Sequence, residues 1–297
     1  MPQRTMTARE ATDFGDSPLA IICGGGALPY AVADAVASSG RRVVLFGLRG
    51  WADPKEVGRF PHHWIAVGQL GRFARLARGE GCRDLVCIGS LVRPAIRQIR
   101  LDLTTLRILP RLVRGFRGGD DHLLSTIGRI FEDHGFRLLG AHDVAPQILV
   151  PAGVMGRVRP DHEDREDITR GLAILAAIGP FDVGQAVVVA NRHCLAVEGI
   201  EGTDAVLARV AELRVKGRIG VPTGKGVLVK APKAGQDRRL DLPSIGPQTV
   251  EGVVRAGLAG IAVSAGGTIA AEMDRLVALA ERSGVFVVGV RDDGTFD

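Results

Sequence analysis

The chain has 297 residues, 46% hydrophobic and 24% charged; this excludes a disordered chain and is enough for two domains of ordinary size. No run approaches the ~18–20 uninterrupted apolar residues of a membrane span, which excludes an integral helical membrane protein. The net charge of +5 suits an anionic ligand such as a phosphate, a nucleotide or an acidic membrane surface. Aromatic residues make up only 4%, too few for base-stacking platforms, so no nucleic-acid partner is expected.

Residues 1–18 are polar and of mixed charge. They lack the apolar core of a secretory signal, so a flexible extension and a cytoplasmic protein are expected. Cys23, Cys82, Cys87 and Cys194 form no Cys-x-x-Cys pair, which points to reduced core thiols and away from zinc or a disulfide framework.

In chain order, 19–23 reads as a buried strand, followed by Gly24-Gly25-Gly26 and a helix over 27–38. A second strand is expected at 42–47, a helix at 70–78 and a third strand at 84–89. Strand, glycine turn, helix, strand is the rhythm of an open parallel α/β sheet. Residues 93–117 are basic and apolar, and Pro94 and Pro110 argue against one continuous helix there. A helix over 121–134 and a strand at 136–139 close this half.

The texture changes near Val150. Residues 151–153 and 157–162 read as linker, rich in Pro, Gly and charge. Then come a helix at 164–177, strands at 185–190 and 193–197, and a helix from Thr203, which can cap it, to 213. A strand at 226–230 leads into a polar loop that reaches Gly246. The tail reads as helix 250–256, strand 260–264, helix 269–283 and strand 285–290. The fold class is therefore α/β: an open parallel-sheet domain over 19–150 and a second α/β domain over 151–297.

Several segments carry chemistry. In the glycine turn, backbone N–H groups at a helix N-terminus can meet an anion, although Pro29 stands where a dinucleotide fingerprint wants its last glycine. A tight structural turn is an equal reading. Arg93, Arg97, Arg100, Arg107, Arg111, Arg114 and Arg117 recur at spacings of three or four, either as a solvated face or as a surface for acidic lipid. Asp120 and Asp121 either cap the next helix or bind ligand. The loop over 230–246 holds Lys230, Lys233, Arg238, Arg239, Asp237 and Asp241. Cations there can neutralise phosphate, and an aspartate among them can hold a divalent metal. Glu198 and Asp204 form a second acidic patch. His142 stands out among the histidines, and no nucleophile elbow, zinc-helix motif or P-loop is present.

Taken together, Gly24 to Pro29, Gly119-Asp120-Asp121, Gly140 to Asp143, Gly184-Gln185, Glu201 to Ala205, the 230–246 loop and Ala256 to Ile261 resemble the UDP-2,3-diacylglucosamine pyrophosphatases of the lipid A pathway, in the form found in bacteria without the calcineurin-like enzyme. The resemblance implies hydrolysis of the lipid-linked UDP-sugar to UMP and 2,3-diacylglucosamine 1-phosphate with magnesium (manganese being possible), a Rossmann-like N-terminal domain with the chemistry in the C-terminal catalytic domain, a homodimer, and possible peripheral contact with the inner membrane. The family's essential aspartate falls on Asp241, within Arg239-Leu240-Asp241-Leu242-Pro243. The expected metal ligands are Asp241, Asp204 and Glu198. Substrate contacts are expected from Gly25, Gly26, Asp120, Gln185, Gly202, Thr203, Lys230, Lys233 and Arg239. A non-catalytic nucleotide-sugar or lipid-binding protein is the alternative, and an NAD(P)-dependent oxidoreductase the weaker one.

Overall fold

The computed structural model describes residues 17–91, 99–116, 120–233 and 235–296, with 115–116 and 120–121 described by backbone alone. The chain divides into two compact units, Met1–Pro146 with Arg239–Asp241, and Gln147–Arg238 with Leu242–Asp297.

The first unit runs β1 (Leu19–Cys23), α1 (Leu28–Ser38), β2 (Val43–Leu48), α2 (Pro54–Val57), β3 (His62–Ile65), α3 (Leu70–Gly79), β4 (Asp84–Ile88), α4 (Leu103–Phe116), α5 (Asp120–Asp133), β5 (Arg137–Leu138) and α6 (Ala141–Val144). Its five strands are parallel, in the order β3-β2-β1-β4-β5. Helices cover a sheet whose strands are apolar almost throughout, as a two-sided parallel sheet requires. On one face Phe46, Phe73, Phe131 and Phe136 pack with Leu85, Ile130 and Leu138. At the amino end of β4, Asp84 is buried and accepts from Arg137 Nε at 2.7 Å. Burial alone would raise its carboxyl, but Arg137 and Arg41 hold it below the ordinary value.

Two elements differ from the sequence reading. β3 is an additional strand whose histidine pair, His62-His63, hid it: it lies at the sheet edge and only Ile65 is buried. α4 continues through Pro110. Pro110 is exposed, so the Leu106 carbonyl that loses its partner faces solvent, while Thr105, Ile108 and Leu112 hold the inner face on the core. Arg93, Pro94, Arg97 and Arg117 lie outside the described residues.

The second unit runs β6 (Gly153–Met155), α7 (His162–Ile178), β7 (Ala186–Ala190), β8 (His193–Val197), α8 (Thr203–Val215), β9 (Val227–Lys230), β10 (Ser244–Ile245), α9 (Pro247–Arg255), β11 (Gly260–Ser264), β12 (Ile269–Ala270), α10 (Met273–Arg282) and β13 (Phe286–Val290). A six-stranded mixed sheet has the order β6-β13-β11-β9-β7-β8. Strands β13, β11 and β9 are parallel; β6, β7 and β8 add antiparallel edges. One face packs Val188, Leu228, Ile261 and Val263 on α8, α9 and α10 through Leu207, Val253 and Leu276. The other packs Val187, Val229, Ala262 and Val288 with Ile168 and Leu175 of α7.

Three readings are corrected here. Gly153, read as the end of a linker, opens β6, which pairs with β13. Ile269 and Ala270 pair with β10 as β12, so that helix begins only at Met273. Cys194 is exposed rather than a core thiol, because β8 is the sheet edge and is bulged against β7. The other thiols follow the expectation: burial pushes Cys23 and Cys87 up to about 12 and Cys82 to about 11, so they stay protonated.

At the start of α7, Asp161 and Asp164 form a capping box, and Lys225 donates to Asp161 at 2.8 Å and Glu163 at 2.7 Å. Asp164 Oδ1 is buried without a hydrogen-bond partner among the described residues. Burial, reinforced by the Asp161 charge, pushes its carboxyl up to about 6. The folded state therefore holds this proton more tightly than the unfolded chain. That stability is present below the ordinary value of 3.8 and lost as pH rises through about 6. Asp164→Asn keeps an acceptor and removes the charge. Thermal melts should show the variant gaining on wild type across this window, by on the order of 1–3 kcal/mol at neutral pH. A difference that does not change with pH would refute the assignment.

Candidate active site

In the first unit the sheet order reverses between β1 and β4, so their carboxyl ends flank a crevice of the kind that takes ligands in open α/β sheets. The glycine turn sits there. A Cβ on Gly24 would lie 2.6 Å from the Ser90 carbonyl oxygen, so glycine is required for the two chains to pass. The Gly24 N–H donates to Ile88 and that of Gly25 to Ser90, at 2.9 and 2.8 Å. These two N–H groups thus serve the fold, and Gly26, at φ +88°, turns the chain toward α1. After β5, His142 packs so close to Gly140 that a Cβ there would lie 2.3 Å from the ring. His142 Nε2 is 3.4 Å from Asp143 Oδ1, and its Nδ1 is buried without a partner among the described residues.

In the second unit, strand ends and one helix start bring four of the expected residues together. Glu198 follows β8, Thr203 opens α8, Lys230 ends β9 and Gln185 precedes β7. Lys230 is 6% exposed and Glu198 8%. Lys230 Nζ donates to Thr203 Oγ1 at 2.9 Å and to the Ser244 carbonyl at 2.9 Å. The Thr203 hydroxyl in turn donates to Glu198 Oε1 at 2.7 Å, and the Gln185 N–H donates to Glu198 Oε2 at 2.8 Å. One hydroxyl thus joins a buried ammonium to a buried carboxylate, which keeps both charges hydrogen-bonded. Gly184 makes this possible, because a Cβ there would meet the Glu198 carbonyl oxygen at 2.2 Å.

Thr203 is therefore not the cap of α8. Gly202, at φ +80°, takes that position and makes no side-chain cap hydrogen bond. A helix N-terminus beside a lysine is chemically suited to a phosphate oxygen.

The remaining residues are placed as follows. Lys233 Nζ pairs with Asp182, and its N–H donates to Gln236 Oε1 at 3.0 Å, folding the start of the loop. Gln236, Asp182 and Ser244 were not singled out from the sequence; the one available signal was the position of Asp182 just before Gly184-Gln185. Arg239 and Asp241 belong to the first unit, where Arg239 donates to Glu132 at 2.7 Å and Leu240 packs on the core. Asp204 is exposed and accepts from Gln248 at 3.0 Å. Asp120 begins α5, and its side chain lies outside the described residues.

Among the described residues no three His, Cys, Asp or Glu side chains form a group able to hold a metal. Within the second unit Asp204 is exposed, and both Glu198 oxygens are already engaged. The loop's donors fit a different arrangement. Between Ala231 and Pro243 the acidic groups are Asp237 and Asp241, with no thiol or imidazole. Hard oxygen donors in small number suit magnesium, which keeps several waters and relies on one or two carboxylates plus substrate phosphates.

Residues 18–148 match the LpxI N-terminal domain and residues 151–288 the LpxI C-terminal domain. The chain belongs to the LpxI family. A relative named UDP-2,3-diacylglucosamine pyrophosphatase LpxI, from Caulobacter vibrioides, is 41% identical over 273 residues, covering 92% of this chain and 97% of the relative. A solved UDP-glucose 4-epimerase from Thermus thermophilus, in complex with NAD, is 14% identical at a TM-score of 0.30, with 92% of this chain and 86% of that one covered. A likeness so slight carries no argument. Within this LpxI chain, the Lys230–Thr203–Glu198 connection is directly testable. Lys230→Met alone should destabilise by on the order of 3 kcal/mol, because Glu198 keeps a buried charge with no ammonium near it. The double variant with Glu198→Gln should recover part of that loss, read as a coupling of about 1–3 kcal/mol in a denaturation cycle. Additive losses would show that the two charges are not linked.

Proposed function

We propose that this chain hydrolyses UDP-2,3-diacylglucosamine to UMP and 2,3-diacylglucosamine 1-phosphate in lipid A biosynthesis. The observation that carries the reading is the match of both halves of the chain to LpxI domains, together with 41% identity to a relative of that name along nearly the whole length. Water attacks one phosphorus of the diphosphate, the bridging P–O bond breaks, and each product keeps one phosphate as a monoester. Charge builds on the phosphate oxygens during this step, so fixed cations and N–H groups stabilise it most.

In this reading Lys230, beside the amino end of α8, binds phosphate oxygens, and Thr203 orients the ammonium. Lys233 and Arg239 add positive charge from the same loop, and Gln185, Gly26 and Asp120 contribute to substrate binding. Asp241 is the catalytic carboxylate: it orients the attacking water and accepts its proton. It would also hold magnesium, or manganese, which when bound supplies further charge neutralisation at the diphosphate. The protein is proposed to act as a homodimer at the cytoplasmic side of the inner membrane, where a substrate with two acyl chains resides. No helix among the described residues is long and apolar enough to cross a membrane.

The test is UMP release from UDP-2,3-diacylglucosamine with magnesium. Wild type should release UMP, and Asp241→Ala should lose on the order of a thousandfold or more while melting like wild type. Chelation with EDTA should stop release, and added magnesium should restore it. A well-folded wild type that binds substrate and releases no UMP would replace this reading with that of a lipid or nucleotide-sugar carrier.

A further inference from the structure

Within the first unit, α4 presents an outer face that is exposed among the described residues. Its inner face is fixed by Thr105, whose hydroxyl accepts from the Leu70 N–H at 3.1 Å, and by Ile108 and Leu112 on the core. At 3.6 residues per turn the remaining positions fall into two adjoining stripes. One is apolar: Leu103 is 75% exposed, Leu106 52% and Val113 48%, with Pro110 between them. The other is basic, made of Arg107, Arg111 and Arg114, all exposed. Just before the helix, Ile99 and Leu101 are also exposed, with Arg100 between them.

The neighbouring helix extends the pattern. A groove of about 560 Å³ runs between α3 and the start of α4, lined by Arg72, Arg75, Leu101, Leu103 and Leu106. The acidic group that lines it, Asp102, is engaged by backbone: it accepts from the N–H groups of Arg72 and Thr105 at 2.9 and 2.8 Å. On the basic stripe Arg111 pairs with Asp133 at 2.8 Å, while Arg107 and Arg114 are exposed beside it. Arginines beside exposed leucines are poorly explained by solvation alone, since a solvated face would not expose so many large apolar side chains in one stretch. Apolar side chains in the acyl boundary with cations at the phosphate level are how a helix lies on an anionic bilayer.

We infer that the outer face of α4, with the arginine-lined groove beside it, docks this chain on an anionic phospholipid bilayer. Its partner chemistry is a lipid phosphate presented in a surface, with an apolar layer beneath it. The inference deepens the proposed function and rests on it in one respect: a diacyl substrate would be taken from that bilayer. The charge and apolar pattern of α4 stand without it.

The experiment is co-sedimentation of the full chain with vesicles of phosphatidylcholine alone and of phosphatidylcholine with an equal share of phosphatidylglycerol. Wild type should bind the anionic vesicles at least about tenfold more tightly, and added salt should weaken that binding. This arm needs no variant. Arg107→Glu with Arg114→Glu should lose about tenfold or more of the binding. Leu103→Ser with Leu106→Ser should lose it as well, without any change of oligomeric state. Both variants should release UMP from detergent-dispersed substrate like wild type, and more slowly from vesicle-embedded substrate. Equal binding of wild type to both vesicle types, or unchanged binding by both variants, would overturn the inference. So would dissociation of a dimer by the leucine variant with vesicle binding intact, which would assign this face to a second copy. Binding to anionic vesicles with no UMP release from any substrate form would instead defeat the proposed activity and leave the docking face standing.

Discussion

The second unit is organised around a buried carboxylate and a buried ammonium that share one threonine hydroxyl. Glu198 and Lys230 sit where water is scarce, and neither is tolerable there alone. Thr203 can donate to one and accept from the other, so the three side chains fix the positions of the end of β8, the start of α8 and the end of β9 relative to one another. The Gln185 N–H and the Ser244 carbonyl extend the same chain to β7 and β10. A side chain at position 184 would push the Glu198 backbone away and break it. Buried ion pairs generally cost stability compared with an apolar core, and in the proposed function this one holds the Lys230 ammonium at the start of α8.

The first unit solves a different problem. Its parallel sheet needs two chains to cross closely at the reversal of strand order, and Gly24 against Gly89-Ser90 does this through backbone alone. At the opposite end of the sheet Asp84 ties Arg41 and Arg137, so one buried carboxylate is matched by two guanidinium groups. The tripeptide Arg239–Asp241 belongs with this unit although it is drawn from the loop that follows β9. The loop that reads as the most polar segment of the sequence is therefore partly anchored by an apolar residue, Leu240, on the first unit's core. Length and polarity in a loop do not preclude a fixed conformation when single side chains along it pack inward, as Leu240 does in part and Gln236 fully.

Much of this was legible in the residues. Apolar runs bounded by glycine and polar turns gave β1, β2, β4, β7, β9, β11 and β13 nearly to the residue, because buried strands must be apolar on both faces, and the edge strand β8 was read as well. Most short pairings were not legible, β5 excepted. β3, β6, β10 and β12 have two to four residues, and each is a strand only because a neighbouring strand offers it hydrogen bonds. Pro110 read as a helix break, yet the inner face of α4 outweighs one missing bond to solvent. Thr203 read as a cap because a hydroxyl before a helix usually is one, and only the arrival of Glu198 and Lys230 gives it another partner.

By itself the sequence determined the α/β class, the change of texture near residue 150 and the family, because these rest on local pattern and on motifs in order. It also marked Lys230, Thr203, Glu198 and Gln185 as chemistry-bearing residues. Which of them meet was decided only by tertiary structure: pairing β9 with β7, and β7 with β8, places the ends of distant segments side by side. The same fold left Asp204 on the surface with Gln248. Residue type sets what a side chain is able to do, but the few ångströms that decide whether it does so depend on contacts between segments far apart in the chain, and no local pattern records those.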